Sequence, residues 1–360
     1  MTEISRTVST ALQSLRQRET SSRIAAQISD ASYEVTTGLK AKPYDALGHK
    51  SADAIAIRMQ IVRNDGFLAS NALLDRRFLA VETSLGAMRE AGQEVLEQSF
   101  LAQSSAGQTS AQLSQAARAA LDTLIERSAV SDSSGYLMSG TASDTKPLQG
   151  WDTPHPDTGL SPSGIVDDVV SGGLNSLADV QAAIDALTDM FNDQNTGDPA
   201  RNFEASFYNG TPAMDGGGQP NAPLTARISE TETIAQTAQA NDPAMRDLMR
   251  GLAMLSAVDV NQISDPDARE AWATAARNAI TSGLSGLTEL ETDTGLKRTR
   301  LADTVAAQES RAGFLDGERL LLEGADQYDA ATRLTQLQTQ LESSYAVTAR
   351  LSSMSFLNFM

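Results

Sequence analysis

The chain has 360 residues, of which 41% are hydrophobic, 21% are charged and only 5% are aromatic, and its formal net charge is -18. The length is sufficient for two or three domains, and the low aromatic content favours slender helical layers over one thick core. The negative charge argues against nucleic acid and against an anionic membrane surface, because both would repel most of the protein surface. We therefore expect no nucleic acid and no membrane among its partners.

Residues that could carry chemistry are few. The chain has no cysteine, which excludes disulfides and thiolate metal sites, and its two histidines, His49 and His155, lie in unrelated segments. The segment Asp193–Gly197 begins like a calcium loop, but its glycine comes one step early and the closing glutamate is missing. The sequence contains no phosphate-binding loop, zinc-protease or nucleophile-elbow motif. We predict that the chain is not an enzyme and that it has no catalytic residues, no cofactor and no metal.

Membrane and secretion signals are also missing from the sequence. No apolar run approaches the roughly 18 residues that span a bilayer. The N-terminus, MTEISRTVST, lacks the basic, apolar and small-residue order of a cleaved secretory signal. We therefore expect the chain not to use the general secretory route.

The N-terminal segment predicts a helix with a coiled-coil seam, in which apolar residues alternate at steps of three and four. One such stripe consists of Ile4, Val8, Ala11, Leu15, Ser22 and Ala25, and Arg18 interrupts it. A second stripe then takes over, formed by Ile24, Ile28, Ala31 and Val35. The helix is expected to break at Thr36–Lys40, and Lys42–Gly48 is expected to form a turn-rich loop.

From Ser51 to about Val130 the spacing predicts one or two long helices with a break near Gly107. The composition then changes to Gly, Ser, Asp, Thr and Pro, and Tyr136–Thr141 is predicted to be a short strand. The prolines between Pro147 and Pro162 indicate irregular structure.

The rest of the middle region alternates between strand and helix patterns. Leu177–Phe191 is predicted to be an amphipathic helix, and Phe203–Tyr208 a strand that ends at a tight turn. A hairpin-like element at Leu224–Ile228 leads back into helices at Pro243–Val258 and from Asp267 to about Leu322.

The C-terminal stretch carries an unbroken seam of four and three steps, formed by Ala330, Leu334, Leu337, Leu341, Ser344, Thr348, Leu351 and Ser355. The two ends are therefore predicted to pair with each other. A seam rich in Ala, Ser and Thr buries little, since a fully buried Leu contributes roughly 1.5–3 kcal/mol and a Ser almost nothing. We expect the ends to be partly disordered in the free monomer and to become ordered when many copies meet. The residues expected to form this assembly seam are Ile4, Val8, Ala11, Leu15, Leu334, Leu337, Leu341, Leu351, Phe356 and Leu357.

The predicted fold class is mainly α, with a long antiparallel helical bundle or coiled coil from both termini and a small inserted α+β domain. The expected domains are an N-terminal coiled-coil segment (1–40), two parts of a helical rod domain (41–135 and 222–318), an inserted outer α+β domain (136–221) and a C-terminal coiled-coil segment (319–360). An ordinary globular protein whose first and last helices pack within one molecule remains an alternative.

Several segments resemble a known family. They are Thr37–Gly38, Asn71–Asp75, Val81–Leu85, Gly135–Thr141 followed by Asp144–Leu148, and the C-terminal Leu337–Met360. Together they resemble the flagellin-like axial proteins of the bacterial flagellum. Within that family the GYLMSGT segment followed by DTKPL is more similar to the hook-filament junction proteins than to filament flagellin. The chain has Ala41–Gly48 where flagellins usually carry a loop like NSPSDDP, and residues 150–202 resemble nothing in the family.

The resemblance implies a structural subunit of the flagellum at the hook-filament junction, with filament flagellin as the alternative. It implies that the termini form an inner layer of coiled coils, that the long helices form a second layer and that the insert faces outward. The implied partners are other copies of the chain, the neighbouring hook-associated protein and flagellin, and an export chaperone. The implied location is the secreted, extracellular flagellum, reached through the flagellar type III apparatus. A secreted adhesin or binding module, whose insert from about Gly150 to Asn221 recognises a ligand, is a further alternative.

Overall fold

A computed structural model describes residues 3–104, 109–236 and 238–357, and it describes side chains for all of these except residues 3–11, 13–14, 103–104, 109–110 and 351–357. In chain order the helices are α1 (Glu3–Thr37), α2 (Pro43–Leu47), α3 (Ser51–Ser104), α4 (Thr109–Ser128), α5 (Pro162–Val170), α6 (Leu177–Phe191), α7 (Phe203–Ser206), α8 (Pro243–Ala257), α9 (Pro266–Glu323) and α10 (Gln327–Leu357). Short 3-10 turns occur at Gly48–Lys50, Pro199–Arg201 and Val260–Gln262. The strands are β1 (Ser131–Asp132), β2 (Gly135–Tyr136), β3 (Leu224–Arg227) and β4 (Thr233–Gln236). The mainly α fold is confirmed.

The chain divides into two compact units. Met1–Leu68 together with Ala306–Met360 forms one, here called the end unit, and Ala69–Val305 forms the other, here called the middle unit. Helices α3 and α9 each contribute residues to both units. The five domains expected from the sequence remain a prediction.

In the end unit, the turn after α1 is joined to the turn between α9 and α10. The Lys40 amide donates to the Glu323 carbonyl over 2.8 Å, and the Ala325 amide donates to the Gly38 carbonyl over 2.8 Å. Gly38 adopts a φ of 69°, a conformation that glycine takes without strain and that ends α1 where the sequence predicted a break. The segment predicted as a turn-rich loop forms α2 instead, because Pro43 at its first turn has the φ that a helix start requires.

A buried ion pair fixes the same corner. Arg58 on α3 donates from Nε and Nη2 to the two carboxylate oxygens of Glu323, over 2.7 and 2.6 Å. Glu323 is fully buried, whereas the Arg58 side chain is partly exposed. The hydrogen bond to Glu323 raises the pKa of Arg58 above its ordinary value, so the guanidinium keeps its charge at any physiological pH.

Replacing Glu323 with alanine is expected to lower the free energy of unfolding of the end unit by about 2 kcal/mol. Breaking a buried pair costs about 3–5 kcal/mol, and the partial exposure of Arg58 reduces that cost. Urea unfolding followed by far-UV circular dichroism measures the change. The matched control is Asp30→Ala, which removes the more exposed pair with Lys42 and should change the free energy of unfolding much less than Glu323→Ala does. Equal losses in the two variants would contradict the role given to the buried pair.

The core of the middle unit is built around α8, which packs against α4, α5 and α6, and buried side chains of α3 and α9 complete it. Trp272 on α9 is fully buried and donates from Nε1 to the Met254 carbonyl over 3.1 Å. Helices α8 and α9 approach so closely that a Cβ on Gly283 would lie 2.5 Å from the Leu248 amide nitrogen. The hairpin of β3 and β4 confirms the predicted hairpin-like element, and it packs with Ile228 and Ile234 on a small cluster with Phe78 and Leu301.

The insert is more helical than the sequence predicted. Helix α6 is confirmed, with Ser176 as its N-cap accepting from the Asp179 amide. The prediction of irregular structure up to Pro162 missed α5, which Ser161 caps and Pro162 begins. Of the strand predicted at Tyr136–Thr141, only Tyr136 lies in a strand, because β2 covers Gly135–Tyr136 and pairs with Ser131–Asp132.

The strand predicted at Phe203–Tyr208 is wrong. Phe203–Ser206 forms the short helix α7, which brings Phe203 and Phe207 against Phe191 with ring centroids 5.8 and 5.1 Å apart. All three rings are buried. Phe203 and Phe207 are four residues apart. Residues at that spacing lie on the same side of a helix, and they also lie on the same face of a strand, so the aromatic spacing alone did not distinguish the two.

Candidate assembly interface

Helices α1 and α10 pack against each other in the end unit as an antiparallel pair, here called the terminal pair. At one end Gln17 Nε2 donates to Thr348 Oγ1 over 2.7 Å, and at the other end Gln327 Nε2 donates to the Val35 carbonyl over 3.3 Å. The early residues of α1 therefore lie beside the late residues of α10. The predicted pairing of the two chain ends is confirmed.

On α10 the inward face follows the predicted alternation of four and three. Ala330 is buried and Leu334, Leu337, Leu341 and Ser344 are half-buried, whereas Thr348 is exposed. The apolar side chains of this helix are thus directed at α1 over its described first half.

On α1 the second of the two sequence stripes faces α10. Ile24 and Ala31 are buried, and Ile28 and Val35 are half-buried. Ser22 and Ala25, which belong to the first stripe, are exposed. The first stripe therefore does not continue into the described contact with α10.

The inward face of α1 also includes two polar residues that the sequence reasoning missed. Ser21 Oγ lies 3.3 Å from Ser344 Oγ, and Gln17 makes the bond to Thr348 described above. Both residues are half-buried. Extending the alternation of Ile24 and Ile28 backwards along the chain by three and then four residues would have found them.

The predicted assembly residues are brought together only in part. Leu334, Leu337 and Leu341 lie in the terminal pair, whereas Leu15 is 66% exposed on the surface of α1. The other six fall on side chains outside the described residues, namely Ile4, Val8, Ala11, Leu351, Phe356 and Leu357. The assembly role of all ten residues remains a prediction.

The terminal pair is held by few buried apolar groups. A fully buried Leu, Ile or Val stabilises a fold by roughly 1.5–3 kcal/mol, and the three leucines of α10 are only half-buried. Polar contacts such as the serine pair contribute about 0.5–1.5 kcal/mol at best, and exposed ones less. The described contact is therefore weak for helices of 35 and 31 residues.

An open cavity of about 630 Å³ lies at the base of the terminal pair. Four of its six charged lining residues form two pairs, since Arg333 lies 3.3 Å from Glu34 and Lys42 lies 2.7 Å from Asp30. A fifth, Lys40, donates from Nζ to the Leu322 carbonyl over 3.2 Å. The hydrogen bond to Asp30 raises the pKa of the exposed Lys42 above its ordinary value. Charges that neutralise each other offer little to a charged ligand.

No group of three or more histidine and acidic side chains in the described part of the chain is arranged to hold a metal ion. None of the described helices combines the length and the apolarity needed to cross a membrane.

Comparison with known proteins gives the chain a family context. Residues 277–360 match the family model for the C-terminal helical region of bacterial flagellin. A search of curated protein sequences found no match. A solved structure from Vibrio parahaemolyticus, assigned as a flagellar hook-associated protein, is similar with 12% identity and a TM-score of 0.50, and the match covers 77% of this chain and 98% of that one. The FlgL structure from Bacillus cereus aligns with 10% identity over 79% of this chain and 100% of that one, with a TM-score of 0.34.

The family match confirms the resemblance to the flagellin-like axial proteins over residues 277–360. The family match spans most of α9 and all of α10, so it contains the C-terminal half of the terminal pair. At 12% identity the Vibrio structure supports a shared fold alone. The TM-score of the Bacillus structure is too low to add to the argument.

Proposed function

We propose that the chain is a structural subunit of the bacterial flagellum that sits at the hook-filament junction and assembles through its terminal helices. The observation that carries the proposal is the terminal pair, in which a narrow seam joins the two chain ends. The α10 helix of this pair lies within residues 277–360, which match the C-terminal helical region of flagellin. A weak pair of long helices is what a subunit needs if its ends are completed by other copies.

The proposed partners are other copies of the chain, the neighbouring hook-associated protein and flagellin, and an export chaperone. The chain has no catalytic role in this proposal. It is exported through the flagellar type III apparatus and lies outside the cell, with residues 136–221 facing outward.

Deleting residues 331–360 is expected to abolish swimming, because it removes all but the first turn of α10 and with it the seam on which assembly depends. Motility in soft agar and electron microscopy of the cells measure the result. Motile cells with firmly attached filaments would contradict the proposal.

A substitution pair tests the seam without removing the helix. Leu337→Asp places a charge in the terminal pair, whereas Gln338→Asp places the same charge on the exposed neighbouring position of α10. The first variant is expected to lose motility and the second to keep it.

Hydrogen exchange on the free protein should be fast over residues 1–30 and 330–360, and strong protection there would favour an autonomous module such as an adhesin.

Filament flagellin is the second candidate function, favoured by the family to which residues 277–360 match. Abundance separates the two candidates. A filament subunit should dominate the protein sheared from the cell surface, whereas a junction subunit should be scarce and should be labelled by antibody at the filament base only.

A further inference from the structure

A cavity of about 680 Å³ lies in the insert, and two segments line it, residues 145–158 and 204–210. All of these residues belong to the middle unit, so the proposed assembly through the terminal helices does not use them. Sites for small molecules are concave and have volumes of about 300–1,000 Å³. The size of this cavity is therefore suitable for a small ligand.

The walls of the cavity are held in place by side-chain amides. Gln149 Nε2 donates to the Thr153 and Pro154 carbonyls over 3.1 and 3.0 Å. Asn209 Nδ2 joins the two lining segments, because it donates to the Lys146 carbonyl over 3.2 Å and to Gln149 Oε1 over 3.3 Å. A ligand would meet walls that are already ordered, so its binding would fix little additional chain.

The imidazole of His155 lines this cavity and is only 7% exposed. The Asp157 amide donates to its Nδ1 over 3.2 Å. A neutral imidazole that accepts at one nitrogen carries its proton on the other, so Nε2 is a donor. No acceptor pairs with Nε2 in the part of the chain that the structure describes. Because buried polar groups are almost always paired, the partner of Nε2 comes from the cavity.

Three more lining residues have polar groups without a protein partner among the described residues. The exposed Lys146 ammonium forms no ion pair, and Asn209 Oδ1 accepts no hydrogen bond. Glu204 Oε1 accepts from the Arg246 guanidinium and from two amides, whereas Glu204 Oε2 accepts from none. Together with His155, the cavity therefore offers two donors and two acceptors.

The charges around the cavity favour a neutral ligand. Glu204 is balanced by Arg246, and the exposed Lys146 and Asp157 have opposite signs. The insert as a whole, residues 136–221, contains twelve acidic and two basic residues, and this excess of negative charge disfavours an anionic ligand. A cationic ligand would meet the unpaired Lys146 ammonium. The ligand that fits is uncharged and has several groups that form hydrogen bonds.

We propose that this cavity binds a neutral saccharide. A hydroxyl group both donates and accepts, so the hydroxyls of a sugar can accept from His155 and Lys146. They can also donate to Asn209 and Glu204. The ring of Tyr208 lines the same cavity and gives the carbon face of a sugar an apolar surface. This inference goes beyond the proposed function and holds equally for a junction subunit and a filament subunit.

A glycan array tests the proposal with the purified full chain and a panel of neutral, sialylated and sulfated oligosaccharides. We expect binding to neutral members of the panel, and isothermal titration with the best of them gives the affinity. His155→Asn is expected to weaken that affinity by about tenfold, because it removes the Nε2 donor. The asparagine oxygen can still accept from the Asp157 amide, as in an Asx-turn, so the loop keeps its bond.

The matched control is His49→Asn, the same substitution at the other histidine of the chain, which is exposed in the end unit and should leave the affinity unchanged. Tryptophan fluorescence checks that His155→Asn is folded. If it is not, Lys146→Met at an exposed position replaces it and should weaken binding by about threefold.

Three results would overturn the saccharide site. They are no binding to any neutral oligosaccharide, a preference for the sialylated or sulfated members, and an affinity that neither the folded His155→Asn chain nor Lys146→Met changes. None of these results bears on the terminal pair, whose tests are motility and hydrogen exchange.

Discussion

Replacing Arg246 with methionine is expected to lower the free energy of unfolding of the middle unit by about 3–5 kcal/mol. Arg246 is buried at the start of α8 and donates from Nη2 to Glu204 over 2.8 Å, from Nε to the Asn241 carbonyl over 2.6 Å, and from Nη1 to Asp193. Its guanidinium also lies 5.0 Å from the ring centroid of Phe203. Methionine fills much of the volume but leaves two partly buried carboxylates without their cation, and an unpaired charge in that setting is costly.

Tryptophan fluorescence during urea unfolding measures this loss. Both tryptophans of the chain, Trp151 and Trp272, are buried in the middle unit, so their signal reports on that unit. The matched control is Arg201→Met, because Arg201 pairs with Asp168 and Asp198, two carboxylates that are themselves exposed, and such pairs contribute about 0–1 kcal/mol. If the Arg246 variant unfolds at the same urea concentration as the Arg201 variant, the buried network does not hold the insert to α8.

The Arg246 network also shows why the insert was harder to predict than the long helices. Its members come from Asp193 after α6, Glu204 on α7 and Arg246 on α8, and nothing in their spacing of 11 and 42 residues signals that they meet. Asp193 adopts a φ of 57°, an uncommon backbone conformation for a residue other than glycine. It is the first residue of Asp193–Gly197, which was compared with a calcium loop and rejected. Contacts between distant segments decide such regions, and a single sequence does not contain them.

The long helices were predictable because their signal is local. The alternation of three and four residues runs through α3, α9 and α10, and capping residues mark the starts of α6 and α8. The missed helix α5 had the same local signal, since Ser161 and Pro162 form a standard helix start. The prolines were interpreted only as breakers of structure, although proline is favoured in the first turn of a helix.

The candidate interface was predictable to the extent that its residues are apolar. The stripe of Ile24 and Ala31 and the leucines of α10 follow from spacing alone, whereas Gln17 and Ser21 escaped because polar residues do not stand out in a hydrophobic pattern. The exposed apolar residues of α3 and α9, such as Val62 and Leu321, were missed for the opposite reason. When apolar residues lie on two sides of one helix, the sequence shows no one-sided hydrophobic pattern, and only the structure shows which side is covered.

Replacing Gly283 with alanine is expected to lower the free energy of unfolding of the middle unit by about 3 kcal/mol, at the upper end of what overpacking a core costs. A Cβ at this position would lie 2.5 to 2.7 Å from the amide nitrogen, Cα and Cβ of Leu248, and no side-chain rotation relieves a clash with backbone. Gly251 on the facing helix is equally restricted, since a Cβ there would lie 2.7 Å from the Ala276 carbonyl oxygen. Helices α8 and α9 can therefore keep their present separation only with glycine at these positions.

The control for this prediction lies on the same helix. Gly295 has open space around its Cβ position, so Gly295→Ala should raise the free energy of unfolding by about 0.5–1 kcal/mol through the greater helix propensity of alanine. The two substitutions are chemically identical and differ only in what the new methyl group contacts. The midpoint of urea unfolding, followed by tryptophan fluorescence, should therefore fall for Gly283→Ala and rise for Gly295→Ala. A stabilising Gly283→Ala would mean that α8 and α9 can separate without loss. The hydrogen bond from the buried Trp272 to the Met254 carbonyl depends on the same close approach, so it too would then add nothing to the free energy of unfolding.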